Sequence, residues 1–177
     1  MRTAFIGRFQ TFHIGHKHVV EQHSDEELVL VLGSAGESRT DENPLNVEER
    51  KSIIHECFPK IEIYAVEDNE SDEKWMKEII EKTDAEKVVS GNKVVLDIFR
   101  EMSECEVEEA DMHEPEIYSG TEVRRRINSG GEWSYLVPEC AKDRIEELVE
   151  TIKKSGTQYE FEPGWKKKNS FHGTAED

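Results

Sequence analysis

No stretch of this 177-residue chain is apolar for long enough to cross a bilayer. The longest apolar run lies near Leu28–Leu32, whereas a spanning helix needs roughly 20 such residues. The first residues, Met1–Gly7, enter a strand-like pattern at once and lack the apolar region of a signal peptide, so a cytoplasmic location with no membrane partner is expected. Cysteine is scarce. Cys57, Cys105 and Cys140 are scattered, odd in number and without Cys-x-x-Cys spacing, which predicts buried or idle thiols and neither a disulfide framework nor a zinc site. Two common phosphate signatures, G-x-x-x-x-G-K-[ST] and G-x-G-x-x-G, are missing. Positive charge is in short supply: 23 Lys and Arg face 40 Asp and Glu, a net charge of −17. Such a field repels phosphate and disfavours non-specific nucleic-acid binding, so no nucleic-acid partner is expected. A polyanionic ligand would therefore need the few Arg and His gathered in one place.

What is present is a regular alternation of short apolar runs and helical patterns. Thr3–Gly7, Glu27–Gly33, Ile61–Val66, Lys87–Ser90 and Cys105–Glu109 read as strands. The second is almost continuously apolar, as in a parallel strand covered on both faces. Helices are predicted from Gly15 to Gln22, from Asn46 with Glu49 in capping-box spacing, and over Ser71–Lys82 and Lys93–Met102. Two more follow, one opening at Ser119 and one over Pro138–Lys154. This order predicts an α/β fold, a doubly wound parallel sheet with ligands at the carboxyl ends of its strands. Residues 1–154 are read as the domain. From Ser155 to residue 177 the composition changes to Gly, Pro, Lys and aromatics without a period, which reads as a C-terminal extension, loosely packed or at an oligomer contact.

Two segments carry chemistry. Gly7-Arg8-Phe9-Gln10-Thr11-Phe12-His13-Ile14-Gly15-His16 follows the first strand directly. His13 and His16 share a helix face, Gly15 lets a ligand approach the backbone, and the helix start adds unpaired N–H groups and a positive dipole end. A lone histidine there would be a cap or surface residue. Two with a glycine between them, beside Arg8, suit a triphosphate. The second segment, Tyr118-Ser119-Gly120-Thr121-Glu122-Val123-Arg124-Arg125-Arg126, could be merely a capped helix. Three consecutive arginines in so acidic a chain tip the reading, because a guanidinium fork suits phosphate oxygens. Arg124 is the residue expected to face the site, and Arg125 and Arg126 to face solvent or an interface.

The H-x-G-H string after a first strand resembles the nucleotidyltransferase superfamily. The longer string resembles G-R-F-Q-P-F-H-x-G-H of the archaeal-type nicotinamide mononucleotide (NMN) adenylyltransferases, with Thr11 where Pro is usual. Tyr118–Arg126 resembles their Y-S-G-T-E-[VI]-R-R-R form. Gly33-Ser34-Ala35, Asn43-Pro44 and Glu49-Arg50 resemble a further segment, in which Arg39 stands where many relatives have His. Ser90-Gly91-Asn92 matches another, with Lys93 in place of Pro. The resemblance runs from about Thr3 to Leu148 and gives out in the tail.

That resemblance implies a Rossmann-like nucleotidyltransferase fold and transfer of an adenylyl group from ATP to NMN, giving NAD and pyrophosphate. It implies that His13, His16, Arg8 and Arg124 are catalytic. ATP would be bound by Gly7, Arg8, Phe9, His13, Gly15, His16, Ser119, Gly120, Thr121 and Arg124. NMN would be bound by Trp75 as a stacking platform, Asp68, Asp72 (Asn in relatives), Arg39 and Asn92; the alternative for Trp75 is a core residue on an amphipathic helix. Mg²⁺ would ride on the ATP phosphates, with no protein metal site. A homo-oligomer, often a hexamer among relatives, is expected by resemblance only. The competing readings are a sister nucleotidyltransferase with another phosphate acceptor, such as phosphopantetheine, and a nucleotide-binding regulatory module without catalysis. Cytidylyltransferases carry an R-T-x-G-I-S-T-T string and class I aminoacyl-tRNA synthetases a K-M-S-K-S string, and neither is found.

Overall fold

The computed structural model describes residues 1–159. Its elements in chain order are β1 (Arg2–Gly7), α1 (Ile14–Gln22), β2 (Glu27–Leu32), α2 (Val47–Cys57), β3 (Glu62–Ala65), α3 (Asp72–Thr83), β4 (Lys87–Ser90), α4 (Lys93–Met102), β5 (Glu106–Glu109), α5 (Gly120–Ser129) and α6 (Glu139–Tyr159). A single 3₁₀ turn, Ser134–Leu136, precedes α6. The strands form one parallel sheet in the order β3-β2-β1-β4-β5. The chain builds outward from β1 to β3, then returns to the other side of β1 for β4. The crevice between the carboxyl ends of β1 and β4 is thus the switch point where ligands bind in such sheets.

The period of two along the inner strands sends alternate side chains to opposite layers. Ala4 and Ile6 of β1 and Val29 and Val31 of β2 face Trp75, Met76 and Ile79 of α3 and Val95, Ile98 and Phe99 of α4. Phe5, Leu30 and Leu32 face the other layer, with Val19 and Val20 of α1, Ile53 and Ile54 of α2, Val123 and Ile127 of α5, and Ile145 and Ile152 of α6. Full burial of each such Leu, Ile or Phe contributes about 1.5–3 kcal/mol. The doubly wound α/β sheet expected from the alternation is therefore the fold.

Two expectations change. Cys57, at the end of α2, and Cys140, in the first turn of α6, form a disulfide with Cα atoms 5.2 Å apart. Only Cys105 is a free thiol. The pairing is set by the packing of α2 on α6 across 83 residues of sequence, which no local spacing reports. Second, α6 runs on to Tyr159, past the helix end expected at Lys154. Ser155 is itself buried, its hydroxyl donating to the Thr151 carbonyl at 2.8 Å. The rest of the expected extension, 160–177, lies outside the described residues.

A cross-link that closes so long a loop restricts the unfolded chain strongly. Reduction, or Cys57→Ser, is expected to lower stability by about 2–5 kcal/mol. Calorimetry with and without a dithiol reductant checks it: the wild type should lose its excess stability on reduction and Cys57→Ser should not respond. Thiol titration of the unreduced, denatured chain should count the single thiol of Cys105.

Candidate active site

The loop that leaves β1 turns back on itself before α1. Phe9 sits in the left-handed region (φ 54°), a conformation that costs a non-glycine residue about 1–2 kcal/mol. Its ring offsets this by full burial, edge-to-face on Phe5 (5.3 Å between centroids) and against His16 (4.5 Å). Gln10 then acts as a piece of strand. Its side-chain amide donates to the Leu45 carbonyl at 2.8 Å and accepts from the Leu45 N–H at 3.0 Å. The Gln10–Thr11 peptide bond is cis.

The two histidines form the N-terminal cap of α1. His13 Nδ1 accepts from the Gly15 N–H at 3.0 Å, and His16 Nδ1 accepts from the His13 N–H at 3.1 Å. Their rings lie 3.8 Å apart. A nitrogen that accepts from an N–H carries no proton, so each neutral ring holds its hydrogen on Nε2. Capping thereby fixes the tautomer. His16 is almost fully buried, and its Nε2 has no hydrogen-bond partner among the described residues. The Thr11 hydroxyl is likewise buried without one. An orphan buried donor is costly, and an acceptor placed beside it would remove that cost. Burial first, and then the neighbouring His13, hold the His16 imidazole well below the usual histidine range, so it is neutral at pH 7.

A second helix start meets the same loop. Ser119 caps α5, its hydroxyl accepting from the Glu122 N–H at 3.1 Å. A Cβ on Gly120 would lie 2.9 Å from the Gln10 carbonyl oxygen and 3.0 Å from Arg124 Nη1, so glycine is what permits the approach. Arg124, buried, donates to that same Gln10 carbonyl and lies 3.5 Å from the Thr121 hydroxyl. Arg125 and Arg126 turn to Glu122 instead, and the two guanidinia hold its carboxyl down at about 2. Arg8 is fully buried at the head of the loop. Arg50, near the start of α2 and also fully buried, donates to the carbonyls of Arg8 (3.0 Å), Gly33 (2.8 Å) and Ser34 (3.3 Å). In a chain of net charge −17, Arg8, Arg50 and Arg124, both histidines and two helix N-termini thus converge on one loop at the switch point.

The residues expected around NMN are more dispersed. Asp68 accepts from the Ser34 hydroxyl at 3.1 Å, beyond the ends of β2 and β3. Asp72 is the first residue of α3. Asn92 is buried after β4 and caps α4, accepting from the Val94 and Val95 N–H groups. Arg39 is engaged elsewhere: it forks onto Glu49 at 2.6 and 3.0 Å and donates to the Pro44 carbonyl. Trp75 offers no open face. In the ligand-free fold it is fully buried in the α3–α4 layer, edge-on to Phe99 at 6.0 Å, just as Arg8 and His13 are fully buried at the loop.

Sequence reading alone gave no role to Gln10, Arg50 or Met112. Gln10 and Arg50 stood inside recognised strings, but their work depends on which carbonyls the fold delivers. Met112, between β5 and α5, lies 3.3 Å from the Cβ positions that side chains on Gly15 and Gly91 would occupy, and so packs against both glycines near the switch point. Nothing local in the sequence marks it.

A model of the cytidylyltransferase-like family matches residues 4–126. The chain is 34% identical over 154 residues to the nicotinamide-nucleotide adenylyltransferase of Methanosarcina barkeri (83% of this chain, 88% of that protein). It is 35% identical over 163 residues to the protein of the same name from Halorubrum lacusprofundi (87% and 92%), and 36% identical over 172 residues to that from Methanolobus tindarius (90% and 99%). Among solved structures, it superposes on a bifunctional NMN adenylyltransferase/ADP ribose pyrophosphatase from Francisella tularensis complexed with AMP and a manganese ion. The TM-score is 0.69 at 19% identity, over 89% of this chain and 53% of that one. The NadR protein in complex with NAD and AMP-PNP gives 0.54 at 18% identity, over 72% and 42%. The chain spans about half the length of these solved structures, and the likeness to them is one of fold.

The depressed His16 has a consequence for stability. The unfolded imidazole takes up a proton near pH 6.5 and the folded one only at lower pH. Between those values the unfolded state binds more protons, so the fold loses stability as pH falls below about 6.5. Unfolding midpoints measured from pH 7.5 down to 5 should drop for the wild type and drop less steeply for His16→Gln. Parallel curves would remove His16 as the source.

Proposed function

The chain belongs to the cytidylyltransferase-like family, among its nicotinamide-nucleotide adenylyltransferases, and we infer that it transfers the adenylyl group of ATP to NMN, forming NAD and releasing pyrophosphate. The observation that carries the site assignment is the orphan Nε2 donor of His16, buried where two helix N-termini and the arginines meet.

The nucleophile is a phosphate monoester, largely dianionic at neutral pH because its second pKa is about 6. An oxygen of the NMN phosphate attacks the α-phosphorus of ATP, a new P–O bond forms, and the bond to the β-phosphate oxygen breaks. No proton has to be abstracted from the nucleophile, so the protein's work is in-line positioning and neutralisation of developing charge. His13 and His16 donate from Nε2 to the α-phosphoryl oxygens, where charge grows in the transition state. Arg8 and Arg124 hold the β- and γ-phosphates. Ser119, Gly120 and Thr121 present the N-terminus of α5, and Gly7, Phe9 and Gly15 shape the loop against the nucleotide. NMN lies toward Asp68, Asp72 and Asn92. Arg39 and Trp75 complete the NMN side, Trp75 as the stacking platform once its ring is uncovered.

Magnesium is assigned to the triphosphate, where a divalent ion screens the phosphate charge. That ion keeps its waters and needs few protein ligands. Cytoplasmic location and a homo-oligomer, a hexamer by resemblance, belong to the same proposal; light scattering of the purified chain tests the latter. No helix among the described residues is long and apolar enough to cross a membrane.

Pyrophosphate release with ATP and Mg²⁺, compared across NMN, nicotinate mononucleotide and phosphopantetheine, tests the acceptor. Release with NMN and NAD among the products is expected. Release with phosphopantetheine alone would move the substrate, and ATP binding without release would leave a regulatory module. His16→Ala is expected to lower kcat by about 100-fold or more while the KM for ATP changes by less than about tenfold. Equal losses in both would remove its transition-state role.

A further inference from the structure

Glu42 stands on the loop between β2 and α2, and its carboxylate lies 3.9 Å from the guanidinium of Arg8. The Arg8 side chain is 0% exposed and that of Glu42 20%. A buried cation without an anion nearby is strongly disfavoured, so Glu42 supplies counter-charge to Arg8 in the ligand-free protein. It is not needed to shape its own loop. That loop is pinned by the Asn43 N–H donating to the Thr40 hydroxyl at 3.0 Å, the Arg39 N–H donating to the Pro44 carbonyl at 3.1 Å, and the Gln10–Leu45 pair.

The same carboxylate has the opposite effect once nucleotide arrives. Resting on the reading that Arg8 holds the β- and γ-phosphates, a triphosphate on Arg8 brings further negative charge to within a few ångströms of Glu42, in a part-buried setting where screening is weak. Repulsion grows with the charge of the ligand, and a divalent cation on the triphosphate removes two of those charges. We propose that Glu42 is a specificity-determining residue: it holds Arg8 in the empty site and discriminates against metal-free triphosphate, so that nucleotide enters as its divalent-metal complex.

Calorimetric titration of the full chain with ATP in excess EDTA, and separately with ATP and excess Mg²⁺, tests this without turnover. Glu42→Gln keeps the shape and removes the charge. Its affinity for metal-free ATP is expected to rise about tenfold, while affinity for the magnesium complex rises by less than about threefold, narrowing the wild type's preference. Equal changes for both forms, or weaker binding of metal-free ATP, would overturn the proposal. Arg8→Met, with Arg8→Gln should the first not fold, separates the two readings. Loss of affinity for both forms keeps Arg8 at the phosphates and leaves Glu42 judged on its own variant. Unchanged affinity for both would remove Arg8 from the phosphates and overturn the Glu42 proposal with it. Thermal melting of each variant identifies any that is not folded.

Discussion

The site depends on one buried guanidinium. Arg50 donates to the carbonyls of Arg8, Gly33 and Ser34, and so ties the loop after β1 to the loop after β2. Those carbonyls point into a region without water access, where an unpaired acceptor costs about 1–3 kcal/mol. Arg50 satisfies three of them from a helix whose own start is fixed by a reciprocal capping box between Asn46 and Glu49. The chain of constraint is short. The cap sets α2, α2 aims Arg50, and Arg50 sets the backbone from which Arg8 projects. The Cys57–Cys140 link holds the far end of the same helix to α6.

Around that anchor the polar groups of the loop are used in two ways at once. The Nδ1 atoms of His13 and His16 are consumed in capping α1, and this is what puts the hydrogen of each neutral ring on Nε2. A histidine pair that only capped would not need burial, and one that only met a ligand would not need both Nδ1 contacts. Arg124 is similar: it donates to the Gln10 carbonyl and so fixes where α5 lies against the loop that it flanks. Positioning and electrostatics are thus supplied by the same side chains, which is how an acidic protein can build a concentrated positive site from few cations.

Much of this was legible in the sequence because it rests on local signals. The alternation of strands and helices follows from hydrophobic period, and the five strands lie where the apolar runs placed them. The H-x-G-H and S-G-T-E-V-R strings each sit at a strand-to-helix or loop-to-helix junction, a context that a string can declare. What stayed hidden depends on packing between distant segments. The disulfide is one case, since 83 residues separate its cysteines. Trp75 is another: a Trp on an amphipathic helix reads the same whether its ring faces a cleft or a core, and its packing with Met76 and Phe99 in the ligand-free fold is a contact between distant segments. Arg39 was visible as a cation, but its engagement by Glu49 was not, because Glu49 was already read as half of a capping box and proved to serve both.

The burial of the site sets a condition on any ligand. Arg8 and His13 are fully buried and His16 nearly so, while Met112 packs nearby, where Gly15 and Gly91 leave room. Two glycines facing one gap are a poor way to pack a core, since each forgoes the contacts that a side chain would make there. The gap is instead closed by a thioether, flexible and polarisable, which adapts to irregular space without holding it firmly. Met112 belongs to the segment between β5 and α5, whose residues from Asp111 to Ile117 are otherwise mostly exposed. Its ties include the stacking of His113 on Tyr118 and the contact of His18 with Asp111 at 3.8 Å. Met112 is thus held mainly by dispersion, whereas the loop after β1 is held by the hydrogen bonds of Arg50.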